Sequence, residues 1–206
     1  MPPSWDVLTI FEDVFWQQGL LVAGTDEVGR GPLAGPVVAA AVVLDPARPI
    51  EGLDDSKKLS VSRRLELFEL IEADAWAIGV GAAGPRTIER INIFQAARLA
   101  MRRAIHRLPG QPDVVLSDAM PLPGSRHHTV ALIRGDQRSA SIAAASIVAK
   151  VVRDRYMEAL AEQYPGYGFE EHRGYPTPRH RQAILALGAS RAHRTTFLNK
   201  VTPTTR

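Results

Sequence analysis

Two hydrophobic patterns share this chain. Short, nearly continuous apolar runs end in turns rich in glycine, proline or acids, and longer stretches repeat apolar positions every three or four residues. The runs at 20–26 (LLVAGTD), 36–45 (PVVAAAVVLD), 75–84 (AWAIGVGAAG), 113–118 (DVVLSD) and 128–136 (HTVALIRGD) predict five strands. The second is almost unbroken, as in a strand covered on both sheet faces. Helical spacing predicts a short amphipathic helix over 5–17. It predicts a second over 61–73, capped by Ser60, with Leu65, Phe68 and Ile71 or Glu72 at helical spacing. A third spans 86–107, with Ile93, Ala97, Ala100 or Met101 and Ala104 inward, and Pro109-Gly110 stops it. The long helix 139–164 begins Ala- and Ser-rich, so it can lie very close to a sheet, and Pro165-Gly166 ends it. A loop leads to a last helix over 179–188. This order predicts an α/β fold, a mixed sheet flanked by helices.

The 206 residues suit one domain, with a core over 1–164 and a helical C-terminal segment over 165–206. No apolar run reaches the roughly 18–20 residues of a membrane span, and no basic stretch precedes an apolar one at the N-terminus. A cytoplasmic monomer, away from membranes, is expected. The chain has no cysteine, which removes disulfides, thiolate metal sites and cysteine nucleophiles together. The net charge of +3 is uneven. Residues 1–125 hold 12 Lys and Arg against 16 Asp and Glu; residues 126–206 hold 13 against 6, with five of the six histidines. A basic half beside acidic clusters suits either a solvated basic surface or an enzyme that grips a polyanion.

Three apolar runs end on acids: Asp26-Glu27, Asp118 and Asp136. Such acids serve as turn residues and caps, or they converge. Buried carboxylates must be paired, protonated or bound to metal, and convergent oxygens suit Mg²⁺ or Mn²⁺. Two such ions activate water and stabilise the leaving oxygen of a phosphodiester. On a regular strand Asp26 and Glu27 face opposite sides, so one shared site requires the strand to distort, which the following Gly29-Arg30-Gly31 permits. The pairs His127-His128 and His172/His180 lack helical His-x₃-His spacing, so they read as surface or substrate-side residues rather than zinc ligands. Lys150, Arg153 and Arg155 are equally backbone contacts for a polyanion or surface charges. Arg102, Arg103 and Arg107 read as solvated.

The segments TDEVGRGPLAGPVVAAAVVL, DDSKKLS, INIFQAARLAM, GDQRSASIAAASIVAKVVRD, YPGYGFEEHRGYPTPRH and AHRTTF occur in that order. Together they resemble the ribonuclease HII (type 2 ribonuclease H) family over about residues 20–198. The resemblance implies a ribonuclease H-like mixed sheet with a helical C-terminal part. It implies a metal-dependent endonuclease that cleaves the RNA strand of RNA–DNA hybrids and nicks duplex DNA 5′ of single embedded ribonucleotides, leaving 3′-OH and 5′-phosphate ends. The family's four catalytic carboxylates fall on Asp26, Glu27, Asp118 and Asp136, which would hold two Mg²⁺ or Mn²⁺ ions. Gly29, Arg30 and Gly31 would present backbone to the ribose 2′-OH. Tyr175 would bond the 2′-OH and pack on the next sugar, and Ser56, Lys57 and Lys58 would meet phosphates. Asp118-Ala119 stands where Asp-Gly is usual, and HRTTFLNKV departs from the common HRRSF. Ribonuclease HIII and a non-catalytic hybrid-binding protein are the rival readings. A short N-terminus and the Gly-Arg-Gly turn oppose the first, and the full acid set opposes the second.

Overall fold

A computed structural model of the chain describes residues 3–200. Five strands form one sheet: β1 (Val22–Val28), β2 (Val37–Val43), β3 (Ala77–Ala83), β4 (Val114–Asp118) and β5 (His128–Leu132). Their spatial order is β3-β2-β1-β4-β5. The pairs β1/β2 and β2/β3 are antiparallel, while β1/β4 and β4/β5 are parallel. The helices are α1 (Trp5–Leu8), α2 (Ile10–Trp16), α3 (Val61–Asp74), α4 (Pro85–His106), α5 (Ala140–Gln163), α6 (Phe169–His172) and α7 (Pro178–Leu187).

The unbroken apolar run of β2 is explained by cover on both faces: all seven of its residues are buried. Side chains alternate along a strand, so β2 divides its methyl groups between two cores. Ala40 and Val42 join α3 and α5, while Val37, Ala39, Ala41 and Val43 join α4. Both covering helices come unusually close. A Cβ placed on Gly24 of β1 would lie 2.1 Å from the backbone of Ser141 in α5, and one on Gly79 would lie 2.1 Å from the Ala104 carbonyl oxygen of α4. Small residues in these strands and helices let backbone pack on backbone, and this brings the N-terminal half of α5 to the strand that carries Asp26.

The expected elements are present, with local differences. The helix expected over 5–17 is two pieces, α1 and α2. In α3 the buried residues are Arg64, Leu67, Phe68 and Ile71, so Leu65 lies outside the inner stripe, at 39% exposure. Helix α4 is broken at Asn92 (φ 64°, ψ 165°), whose Oδ1 accepts a bond from the Gln95 amide at 3.0 Å. Asn92 is thus an internal N-cap that starts a second helix, a role helical periodicity does not show. The arginines read as solvated are engaged. Arg103 and Arg107 donate to the Ala82 and Val80 carbonyls of edge strand β3 at 2.7 and 2.6 Å, and Arg102 donates to the Pro123 carbonyl. Cations laid on an edge strand discourage further strand pairing. Among the described residues no helix is long and apolar enough to cross a membrane.

Candidate active site

The parallel ladder between β1 and β4 stops at Thr25 and Ser117. Beyond it β1 runs on beside β2 alone, to Val28, while Asp118 pairs with Leu132 of β5. Past this point β1 keeps only β2 as its partner and β4 only β5. Such divergence at strand carboxyl ends opens a crevice. Here it is a cleft of about 240 Å³ lined by Asp26, Glu27, Asp118 and Lys57, and by Gly29, Arg30, Gly31 and Tyr175. The strand distortion expected from Asp26-Glu27 is absent: residues 24–28 pair one to one with 42–38. Instead the sheet parts, so side chains from both faces of β1 reach round its open edge into one cleft.

Asp26, Glu27 and Asp136 are perturbed. Burial, then Glu27 and Asp118, raises Asp26 well above the usual carboxyl range. Burial raises Glu27 to about 7, against the pull of Arg30, whose Nη1 lies 3.3 Å from Glu27 Oε1. Asp118 Oδ1 accepts the Gly135 amide at 2.7 Å, which ties the end of β4 to the turn carrying Asp136. Asp136 lies on a 3₁₀ turn, Gly135–Gln137, and not at the end of a strand. Burial, Asp55 and Asp118 raise it to about 6. Ala119 holds a left-handed backbone (φ 48°), the conformation that glycine supplies freely and alanine at a cost of roughly 1–2 kcal/mol. The turn after Asp118 is therefore made with strain.

Oxygen donors of this kind fit a hard divalent cation. Glu27 Oε2 is buried without a hydrogen-bond partner, an acceptor that a cation would satisfy. Among the described residues no three acids or histidines already form a closed cage, and like-charge repulsion works against closing one without a cation.

The ribonuclease HII family model matches residues 23–200. The chain belongs to this family. It is 55% identical to the ribonuclease HII of Maricaulis maris over 177 residues, 85% of this chain and 81% of that protein. The ribonuclease H2 structure from Pyrococcus horikoshii OT3 aligns with a TM-score of 0.72 at 26% identity, covering 87% of this chain and 96% of that one. Bst-RNase HIII in complex with Mn²⁺ shares the fold, at 22% identity and a TM-score of 0.64, over 87% of this chain and 68% of that one.

The other residues matched to family motifs divide by position. Burial disfavours the charge of Lys57, but Asp55, Asp26, Asp136 and Asp118 outweigh it and leave its pKa raised. Lys57 therefore serves as an internal counter-ion to the acids. Ser56 is buried and bonded to Ser146 Oγ of α5 at 2.8 Å, and Lys58 pairs with Asp54 at 3.1 Å, so neither lines the cleft. Asp55 was missed as a site residue, because an acid beside Asp54 in a polar loop carries no signal of burial. Ser146 was missed inside an Ala-rich helix; its hydroxyl donates to Ser56 Oγ, and its nearness to Asp26 works against the rise that burial gives that acid. Arg153 is fully buried and donates to the Pro36 and Arg173 carbonyls at 3.1 and 3.0 Å. Lys150 pairs with Asp154 at 2.6 Å, and the Arg155 guanidinium lies 4.8 Å from the Phe68 ring centroid.

His172, His180 and His193 are buried, not surface residues. Their tautomers follow from their partners. His193 Nδ1 accepts the Ser190 amide, so its Nε2–H donates to His180 Nε2 at 3.1 Å, and His180 Nδ1–H donates to the Tyr175 carbonyl at 2.9 Å. The His172 ring stacks on His180 at 4.3 Å, and Phe169 meets it edge-on. Burial pushes His180 and His193 down to about 4. Folding with neutral histidines contributes stability that is full above about 6.5 and lost as pH falls toward 4. The stability difference between the parent and His180→Gln should therefore narrow between pH 7 and 5, by on the order of 1 kcal/mol per unit. Thermal unfolding across that range checks it; a constant difference would show that His180 titrates alike in folded and unfolded chains.

Proposed function

We propose that this chain carries out its family's endonucleolytic reaction in the crevice between β1 and β4. It hydrolyses the RNA strand of RNA–DNA hybrids and nicks duplex DNA on the 5′ side of a single ribonucleotide, leaving 3′-OH and 5′-phosphate ends. The observation that carries this reading is the meeting of Asp26, Glu27 and Asp118 in one cleft, with Asp136 coupled to them through Asp118.

Asp26, Glu27, Asp118 and Asp136 are the metal-binding and catalytic acids of this reading. Two divalent ions, Mg²⁺ or Mn²⁺, would supply Lewis acidity and an activated water at the scissile phosphate. Lys57 balances the acids' charge while the substrate is away and stands ready for a phosphate oxygen. The 2′-OH is recognised rather than used as nucleophile. The carbonyls of Gly29 and Arg30 both point at Arg194, at 2.7 and 3.0 Å. In a trans peptide the following N–H points the opposite way, so the Arg30 and Gly31 amides aim away from Arg194, on the side a ribose would approach. Tyr175, 38% exposed in the same cleft, is the complementary wall. In this reading the segment after residue 164 contributes Tyr175 to a site whose acids all lie before it. Its basic residues would hold the duplex backbone with strong salt dependence.

The test is a labelled DNA duplex carrying one ribonucleotide, incubated with Mg²⁺, with Mn²⁺ and with EDTA. A nick 5′ of the ribonucleotide in both metals and none in EDTA is expected. Cleavage confined to long hybrids would instead assign the specificity of the HIII type. Metal-independent binding without any cleavage would identify a hybrid-binding protein.

A further inference from the structure

The dipeptide His193-Arg194, which follows α7, lies outside the acid cluster, yet both residues are buried, at 3% and 0% exposure. Among the described residues Arg194 forms no ion pair with a carboxylate, though leaving a guanidinium so deep without one is costly. Its donors are spent on backbone. Nη2 meets the Gly29 carbonyl at 2.7 Å, Nη1 the Arg30 carbonyl at 3.0 Å and Nε the Gly35 carbonyl at 3.0 Å. These three oxygens belong to one loop, the turn that follows Asp26 and Glu27. His193 reaches the other wall of the cleft, through His180 Nε2 to the carbonyl of Tyr175. The dipeptide is itself registered against the loop: Ala34 and His193 form an isolated bridge, Gly35 N donates to Ala192 O, and Arg194 N donates to Leu33 O, each at 2.8 Å for the latter two.

We propose that His193-Arg194 is a positioning clamp that sets the spacing and aim of the two walls of the ribose subsite. This rests on the reading that Gly29-Arg30-Gly31 and Tyr175 form that subsite. Arg194 holds two successive carbonyls inward and so fixes two successive N–H groups outward. A cation on the carbonyl oxygens also polarises those peptides, which strengthens the opposite N–H groups as donors. The planar fork of a guanidinium meets three carbonyls at once, and an ammonium on a flexible stem does not. His193 holds the tyrosine loop to the same point. The clamp bonds to none of the four acids, so it acts on how well a bound ribose is aligned rather than on how tightly the duplex is held.

The test compares Arg194→Lys, His193→Leu and His193→Gln with Tyr175→Phe and Gly31→Ala, on a duplex with one ribonucleotide and Mg²⁺. Arg194→Lys and His193→Leu are expected to lower kcat by about 10- to 100-fold, as loosening the groups that orient a reacting site does, with KM within about threefold. His193→Gln, whose amide N–H can replace the ring Nε2–H, should restore most of the loss. The Arg30 and Gly31 amide resonances should move in Arg194→Lys without substrate or metal. Parent kcat and unmoved amides in a folded Arg194→Lys, while Tyr175→Phe and Gly31→Ala are impaired, would overturn the clamp alone. If Tyr175→Phe and Gly31→Ala also keep parent kcat, the reading of the subsite fails and the clamp falls with it. Should Arg194→Lys not fold, the Leu and Gln variants of His193 decide: equal losses in both overturn the proposal.

Discussion

Asp26→Asn lowers turnover on a single-ribonucleotide duplex by at least about 10³-fold while duplex binding stays near that of the parent. The substitution is nearly isosteric, and the asparagine oxygen can still accept the Glu27 amide that Asp26 Oδ1 accepts at 2.7 Å. What it removes is a carboxyl that can ionise only at a cost, buried among like groups. The same change should raise the melting temperature of the metal-free protein at neutral pH. The sign follows from linkage: Asp26, Glu27 and Asp136 all have raised pKa values in the folded chain, so their ionisation as pH rises past the unfolded values costs stability. Mg²⁺ or Mn²⁺ should offset that cost in the parent and do so less in the variant. Calorimetry with and without metal, beside single-turnover cleavage, measures both halves. Near-parent turnover would remove Asp26 from the catalytic set. An Asn variant less stable than the parent without metal would contradict the picture of a site strained by repulsion.

Gly31→Ala keeps the parent melting temperature within a degree or two, yet loses about 10²-fold in cleavage at a single ribonucleotide. Gly31 is not among the residues with positive φ, and a Cβ there meets only Tyr175 Cε1, at 3.8 Å. The fold accepts the methyl group, which then stands between the turn and Tyr175, in the gap a sugar would enter. Gly29 offers no such clean test. It has φ 93°, and its Cβ would fall 2.3 Å from Arg153 Nε, so a side chain there displaces a buried guanidinium before any substrate arrives. Full activity of a folded Gly31→Ala would mean that the ribose does not approach this turn. The two glycines flank one arginine and look alike in the sequence. One is required by backbone conformation and packing, and the other leaves room for a ligand.

That contrast marks the boundary between what was legible and what was not. The strands, the main helices and their order could be read from periodicity, because β2 is apolar throughout and the turns carry their own signals in glycine and proline. Asp26, Glu27, Asp118 and Asp136 could be singled out because an acid ending an apolar run is conspicuous, and the family motifs named the rest. Local rules failed where a residue's environment comes from distant chain. Asp26 and Glu27 share a cleft because the sheet parts between β1 and β4, not because β1 bends, and pairing across 92 residues leaves no trace in a local pattern. Asp55 becomes part of the acid cluster, and Lys57 its counter-ion, only when the loop before α3 folds onto the turn of Asp136. Arg153 and Arg194 resemble any surface arginine in composition, yet among the described residues they are the two largest fully buried side chains. Backbone carbonyls from residues 29–36, and for Arg153 also that of Arg173, accept their hydrogen bonds, and a carbonyl has no letter in a sequence. Residue type and spacing therefore fix which groups are available for chemistry; the burial, pairing and aim of those groups arise from contacts between segments far apart in the chain, and these the folded structure alone supplies.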